Sequence, residues 1–157
     1  MINYIKDASI AISKKFIYDF FPTEEIVFEL ISEEFQRNEL KKLNKLHEKK
    51  LAFIEGAGEL VFSAILIPLV FALLTDYMKI LLEKGVKNLS HFFDNDSKIE
   101  NTKNKLKKIL RENYKNLNIE PNLLKNYEEN IILTIIENQN LLQDLLETIK
   151  KENEKNK

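Results

Sequence analysis

Few side chains in this chain stand in a pattern that holds a metal ion or moves a proton, although Asp and Glu number 25. His47 and His91 are the two histidines, and cysteine is absent. Among its closely spaced carboxylates, Glu55 with Glu59 and Asp94 with Asp96 come nearest to the spacing of a known ligand set. A di-metal carboxylate bundle needs a Glu-x-x-His pair beside its glutamates, and Glu55 and Glu59 have none. Asp94 and Asp96 open like a calcium loop, but Lys98 and Ile99 stand where such a loop requires an oxygen ligand and a glycine. Gly56 and Gly58 lack the lysine and spacing of a phosphate loop, and Val61 occupies the third-glycine position of a dinucleotide fingerprint. No HExxH or GxSxG occurs, and His47 falls between Leu43 and Leu51 on one helical face as a boundary residue. The expectation is a protein that is not an enzyme, with no catalytic residue, no metal site and no cofactor. Gly56 and Gly58 are expected to form a hinge between a polar and an apolar helix.

Composition narrows the partners. Hydrophobic residues make up 44% of the 157, which is ordinary for a folded chain. The net charge of -1 provides no basic excess for phosphate backbones, so no nucleic acid is expected as partner. Without cysteine there are no disulfides or thiolate sites, which fits a cytosolic or inner-membrane protein. The start, MINYIKDASIAISKKF, has Lys6 and Asp7 within it and no long apolar core, so it does not read as a secretory signal.

The run LVFSAILIPLVFALLT, Leu60 to Thr75, is uncharged in a chain that is 31% charged. Leu60, Phe62, Ile65, Ile67, Val70, Phe71 and Leu74 leave no polar face, and a helix apolar all round must be buried in lipid or in protein. Its sixteen residues span about 24 Å as a helix, short of a hydrocarbon core of about 30 Å. A span from about Ala57 to Met78 would bring Glu59 and Asp76 to the two interfaces, where charge is tolerated. Pro68 removes a backbone hydrogen bond from the middle of the run, a defect that membrane helices accept more readily than soluble ones. The leading expectation is therefore a membrane-associated chain, with lysines 41, 42, 45, 49 and 50 favouring a cytoplasmic amino terminus. The alternative is a cytoplasmic protein in which this segment is a buried, Pro-kinked core helix.

The elements around the run read as helices. Ile2, Ile5, Ala8, Ile12, Phe16 and Phe20 recur at helical spacing until Phe21-Pro22. Thr23 suits an N-cap for a helix from Glu24, acidic at first and basic after Asn38. Gly85 can close the apolar helix, and residues 85–97 read as a connector with an exposed Phe92-Phe93 pair. Ser97 and Glu100 form a capping box for a basic helix over about 98–117. Its basic face, Lys103, Lys107, Lys108 and Arg111, is either solvated or attracted to anionic lipid or an acidic partner. A last helix is expected over about 122–151, interrupted in its apolar stripe by Asn138. The organisation expected is thus residues 1–55 as amphipathic amino-terminal helices, 56–84 as the apolar helix and 85–97 as connector. A carboxy-terminal helical pair over 98–151 and a disordered tail over 152–157 complete it. The fold class is all-α, with five or six helices around one central, fully apolar, Pro-kinked helix.

The segment FFPTEEIVFELISEEF, the basic stretch after it, and EGAGELVFSAILIPLVFALLTDYMKILL resemble the layout of small helical accessory proteins of prokaryotic anti-phage conflict systems. The resemblance rests on layout and ends before Ser97. It implies antiviral defence, as a sensor-linked adaptor or a membrane-acting effector, with no catalytic residues to carry over. From the residues themselves the functional expectation is a non-enzymatic, membrane-associated helical adaptor or effector that binds a protein partner or a second copy. The alternative is a soluble helical-bundle interaction, inhibitor or immunity-type protein with residues 60–74 as its core helix.

Overall fold

The computed structural model describes residues 1–37 and 61–156. Glu59, Leu60, His47 and the hinge glycines Gly56 and Gly58 lie outside the described residues. Among the described residues the protein is an all-α bundle of seven α-helices without a strand. These are α1 (Ile2–Phe20), α2 (Glu25–Arg37), α3 (Phe62–Glu83), α4 (Asp96–Asn116), the single turn α5 (Pro121–Leu124), α6 (Glu128–Glu137) and α7 (Gln139–Lys155).

Helix α3 is the centre. Its 22 residues bury side chains on every side, from Phe62 through Leu74 except the half-buried Pro68 and Ala72, and then at Tyr77, Met78 and Leu81. It packs against α1, α2, α4 and α7. Each of these is amphipathic and contributes one apolar stripe: Ile5, Ala8, Ile12, Phe16 and Ile17 from α1; Phe28, Ile31 and Phe35 from α2; Leu106, Ile109 and Leu110 from α4; Leu142, Leu145, Leu146 and Ile149 from α7. The ends of the predicted α1 stripe are surface residues, since Ile2 and Phe20 lie at the extremities of the helix, beyond its cover.

Helix ends follow local chemistry. α1 stops at Phe21, which precedes a proline and leaves helical geometry at φ -136°. Pro22–Glu24 form a 3-10 turn, so α2 begins one residue later than expected. α3 closes in a Schellman motif: Gly85 is left-handed at φ 65°, its N–H reaches the Leu82 carbonyl at 3.1 Å, and the Val86 N–H reaches that of Leu81 at 3.1 Å. α4 ends in the same way with Asn118 at φ 55°, and the Ile119 N–H donates to the Tyr114 carbonyl at 2.8 Å.

Four local expectations are corrected. The cap of α4 is Asn95, whose Oδ1 accepts the Lys98 N–H at 2.9 Å, so the helix starts ahead of the Ser97/Glu100 box. Phe92 and Phe93 are half-buried against the core because the Leu89–Phe92 turn is tied to α7, where Gln143 accepts the Leu89 N–H at 2.7 Å and donates to the Lys87 carbonyl at 3.1 Å. The last helix, expected over about 122–151, is interrupted between Leu124 and Glu128 and broken again at Asn138, whose amide donates to the Thr134 carbonyl at 2.6 Å and accepts from Lys15 at 2.7 Å. An asparagine side chain that satisfies a helix carbonyl competes with the backbone ladder, which is why α6 and α7 separate here. The tail expected to be disordered over 152–157 is instead helical through Lys155, with Glu152 paired to the amino terminus at 3.2 Å.

Tyr114 offers a probe of this core. Its hydroxyl is buried without a well-formed hydrogen bond. Burial, and then the nearby Glu128 charge, push its pKa well above the ordinary phenol value. The folded pKa is thus raised above the unfolded one of about 10, so the associated stability is whole below about pH 10 and lost as pH rises beyond it. Tyr114→Phe should flatten the fall of the urea midpoint above about pH 10. At neutral pH it should leave stability equal or higher, because an unpaired buried hydroxyl is removed. An alkaline slope unchanged by the substitution would refute this assignment.

Candidate functional site

Two groups of residues singled out by sequence meet different fates in the fold: the apolar segment and the basic face. The first begins at a backbone problem. The first N–H groups of any helix lack intrahelical acceptors, and Val61, the N-cap of α3, has no side-chain acceptor to offer. Glu24, at the end of the 3-10 turn before α2, fills the gap. Its Oε2 accepts the Phe62 N–H at 2.9 Å, and its Oε1 accepts both the Ser63 N–H and the Ser63 hydroxyl at 2.8 Å. A carboxylate at this end also meets the positive pole of the helix. Around it lies an aromatic cluster. Phe62 stacks on Phe21 with centroids 4.4 Å apart and on Phe16 at 5.7 Å, and Tyr127 sets its edge against Phe62 at 5.2 Å.

Further along, Ile65, Ile67, Val70, Phe71 and Leu74 are all buried, and Pro68, inside the uninterrupted helix, lines a cavity of about 370 Å3. Ile5, Phe35, Phe71 and Ala72 supply its apolar walls, with Asp76 and Lys79 at its polar edge. Asp76 accepts a hydrogen bond from the Asn113 side chain of α4 at 3.0 Å. α3 is also long and apolar enough to cross a membrane by length and composition.

The basic face is largely neutralised within the bundle. Lys107 meets Glu129 at 2.6 Å, Lys103 meets the same carboxylate at 3.6 Å, and Arg111 meets Glu128 at 3.0 Å. Lys107 and Lys103 hold the Glu129 carboxyl below its usual pKa, the hydrogen bond from Lys107 being the larger cause. The acidic pair in the first turn of α6 lies opposite the lysines because α4 packs on α6. Of the four predicted residues, Lys108 is exposed and makes no ion pair among the described residues.

A second group of cations went unnoticed in the sequence. Lys84, just past α3, and Lys98 and Lys105, on one face of α4, line a cavity of about 450 Å3 together with Tyr77, His91 and Phe92. The signal available was the spacing of Lys98 and Lys105, which puts both on one helical stripe. That Lys84 joins them depends on how α3 packs on α4. His91 and Lys98 share the Asp94 carboxylate, at 3.8 and 3.5 Å. Among the described residues no group of three or more His, Asp or Glu is placed to hold a metal ion. No protein-family model matches the chain, and no curated protein or solved structure matches it.

The Glu24 cap is testable. Glu24→Ala removes three hydrogen bonds to a buried helix start and should lower stability by about 1–3 kcal/mol, read from urea unfolding. Glu24→Gln, which keeps an acceptor but not the charge, should lose less. If neither substitution shifts the midpoint, the carboxylate is not the cap of α3.

Proposed function

We propose that this protein is a non-enzymatic helical-bundle interaction protein, with α3 as its core helix and the outward face of α2 as its contact surface. The observation that carries the reading is how the apolar residues are sorted. Phe62 to Leu74 is enclosed by amphipathic helices, whereas Ile26 is 81% exposed and Leu30 60% exposed one turn further along α2. An exposed Ile/Leu pair at helical spacing, with Val27 beside it, is the kind of stripe that a partner helix covers. The exposed Glu25 and Glu33 on the same helix select a partner whose own apolar stripe is flanked by lysine or arginine. Together with the layout resemblance, this makes an adaptor or inhibitor in an anti-phage conflict system the specific role we propose.

A second reading keeps the membrane. Its support is the length and composition of α3, which would suit insertion from the cytoplasmic side if the covering helices opened. Fractionation separates the two. A core helix predicts a monodisperse protein in the soluble fraction, and Ile67→Lys then unfolds the whole bundle, with loss of the helical circular dichroism signal and of cooperative melting. Release only by detergent, with Ile67→Lys abolishing membrane association but leaving the flanking helices folded, would overturn the core reading in favour of insertion.

The contact surface has its own test. A synthetic amphipathic Leu/Lys helix peptide should bind the wild-type protein, and Ile26→Ser/Leu30→Ser should abolish binding with no change in melting temperature. A lowered melting temperature in the double variant would mean that the stripe is covered within the chain, and the surface assignment would fall.

A further inference from the structure

The cavity between the end of α3 and the first turns of α4 joins features that a structural role does not require together. Lys84 and Lys105 both line its polar side, and neither forms an ion pair among the described residues. The neighbouring positive charge of Lys84, and then burial, hold Lys105 below its ordinary pKa. Two ammonium groups side by side without a counter-ion repel each other, and a bound anion relieves the repulsion. Lys84 also follows the carboxy-terminal end of α3, where a cation is favoured, but that accounts for Lys84 alone. Lys105 lies in the interior of α4 and gains nothing from a helix end.

The rest of the cavity specifies more than charge. Phe92 and the buried Tyr77 give it aromatic walls, and Asn101 and Thr102 line its side. Thr102 already donates to the Lys98 carbonyl at 3.0 Å, which leaves its oxygen as an acceptor and Asn101 as the amide free to donate to a ligand. Lys98 is drawn toward Asp94, so the unbalanced positive charge is that of Lys84 and Lys105. At about 450 Å3 the space falls in the range of small-molecule sites, well above what an inorganic ion needs.

We propose that this cavity binds a phosphate monoester carrying a planar apolar body, of nucleotide size, with the phosphate between Lys84 and Lys105 and the body against Phe92 and Tyr77. Two compact ammonium groups suit a phosphate as point charges, and aromatic walls suit a planar ring. The site is independent of what α2 contacts, so it stands or falls separately from the interaction reading.

Calorimetric titration with adenosine monophosphate, inorganic phosphate, and vesicles of phosphatidylcholine containing phosphatidic acid tests it. Adenosine monophosphate should bind more tightly than inorganic phosphate. Lys84→Gln/Lys105→Gln should weaken it about tenfold or more, the equivalent of one lost charge-assisted hydrogen bond. Lys103→Gln/Lys107→Gln removes the same net charge elsewhere on α4 and should leave the affinity unchanged. Phe92→Ala should weaken the nucleotide but not inorganic phosphate. Binding to the vesicles alone, lost in the Lys84/Lys105 variant, would overturn the planar, nucleotide-sized ligand and leave the lysine pair as a site for a lipid phosphate monoester. Overturning results are no binding of any probe, binding that survives the Lys84/Lys105 change, or equal loss in both lysine pairs. An unchanged circular dichroism spectrum and melting curve of the glutamine variants establishes that they are folded.

Discussion

A helix without a polar face imposes the constraint from which the rest of this structure follows. α3 can be placed only where something apolar surrounds it, and in the bundle that cover comes from α1, α2, α4 and α7. None of these could supply it alone, because an amphipathic helix offers a single stripe. The requirement extends to the ends of α3. A buried helix start leaves backbone N–H groups without water, and the carboxylate of Glu24 meets them from another part of the chain. The interaction that caps α3 therefore also fixes where α2 begins relative to it. At the other end the left-handed Gly85 turns the chain without any partner, so that end is locally self-sufficient.

The charges are sorted by the same packing. The approach of α4 to α6 sets Glu128 and Glu129 against Arg111, Lys107 and Lys103, so that face of the most basic helix is not the most attractive surface for an anion. These pairs are exposed on at least one side and add little to stability. Their consequence is electrostatic: they cancel one positive region and leave another, at Lys84 and Lys105, uncancelled among the described residues. Counting lysines along α4 would have pointed to the wrong face of it.

Much of this was legible in the residues. The stripes of α1, α4 and α7, the stop at Phe21-Pro22 and the closure at Gly85 all follow from interactions within a few residues of chain, which spacing reports directly. Near misses occurred where two local solutions compete. Asn95 and Ser97 are both good caps two residues apart, and the chain uses Asn95. Asn138 was visible as a polar interruption, but whether it bends or breaks a helix depends on its partners, and one of them, Lys15, comes from α1.

What the sequence determined by itself is that the protein is all-α, that its helices are amphipathic, and that one of them must be hidden from water. Those properties depend on side-chain periodicity, which any environment preserves. Tertiary structure decided what hides α3, which carboxylate caps it, which lysines are neutralised and which stand together. The apolar run has nearly the same transfer preference for lipid as for a protein interior, so its composition cannot choose between them. The choice rests on whether enough complementary apolar stripes reach it at once, and that is a property of how distant segments meet.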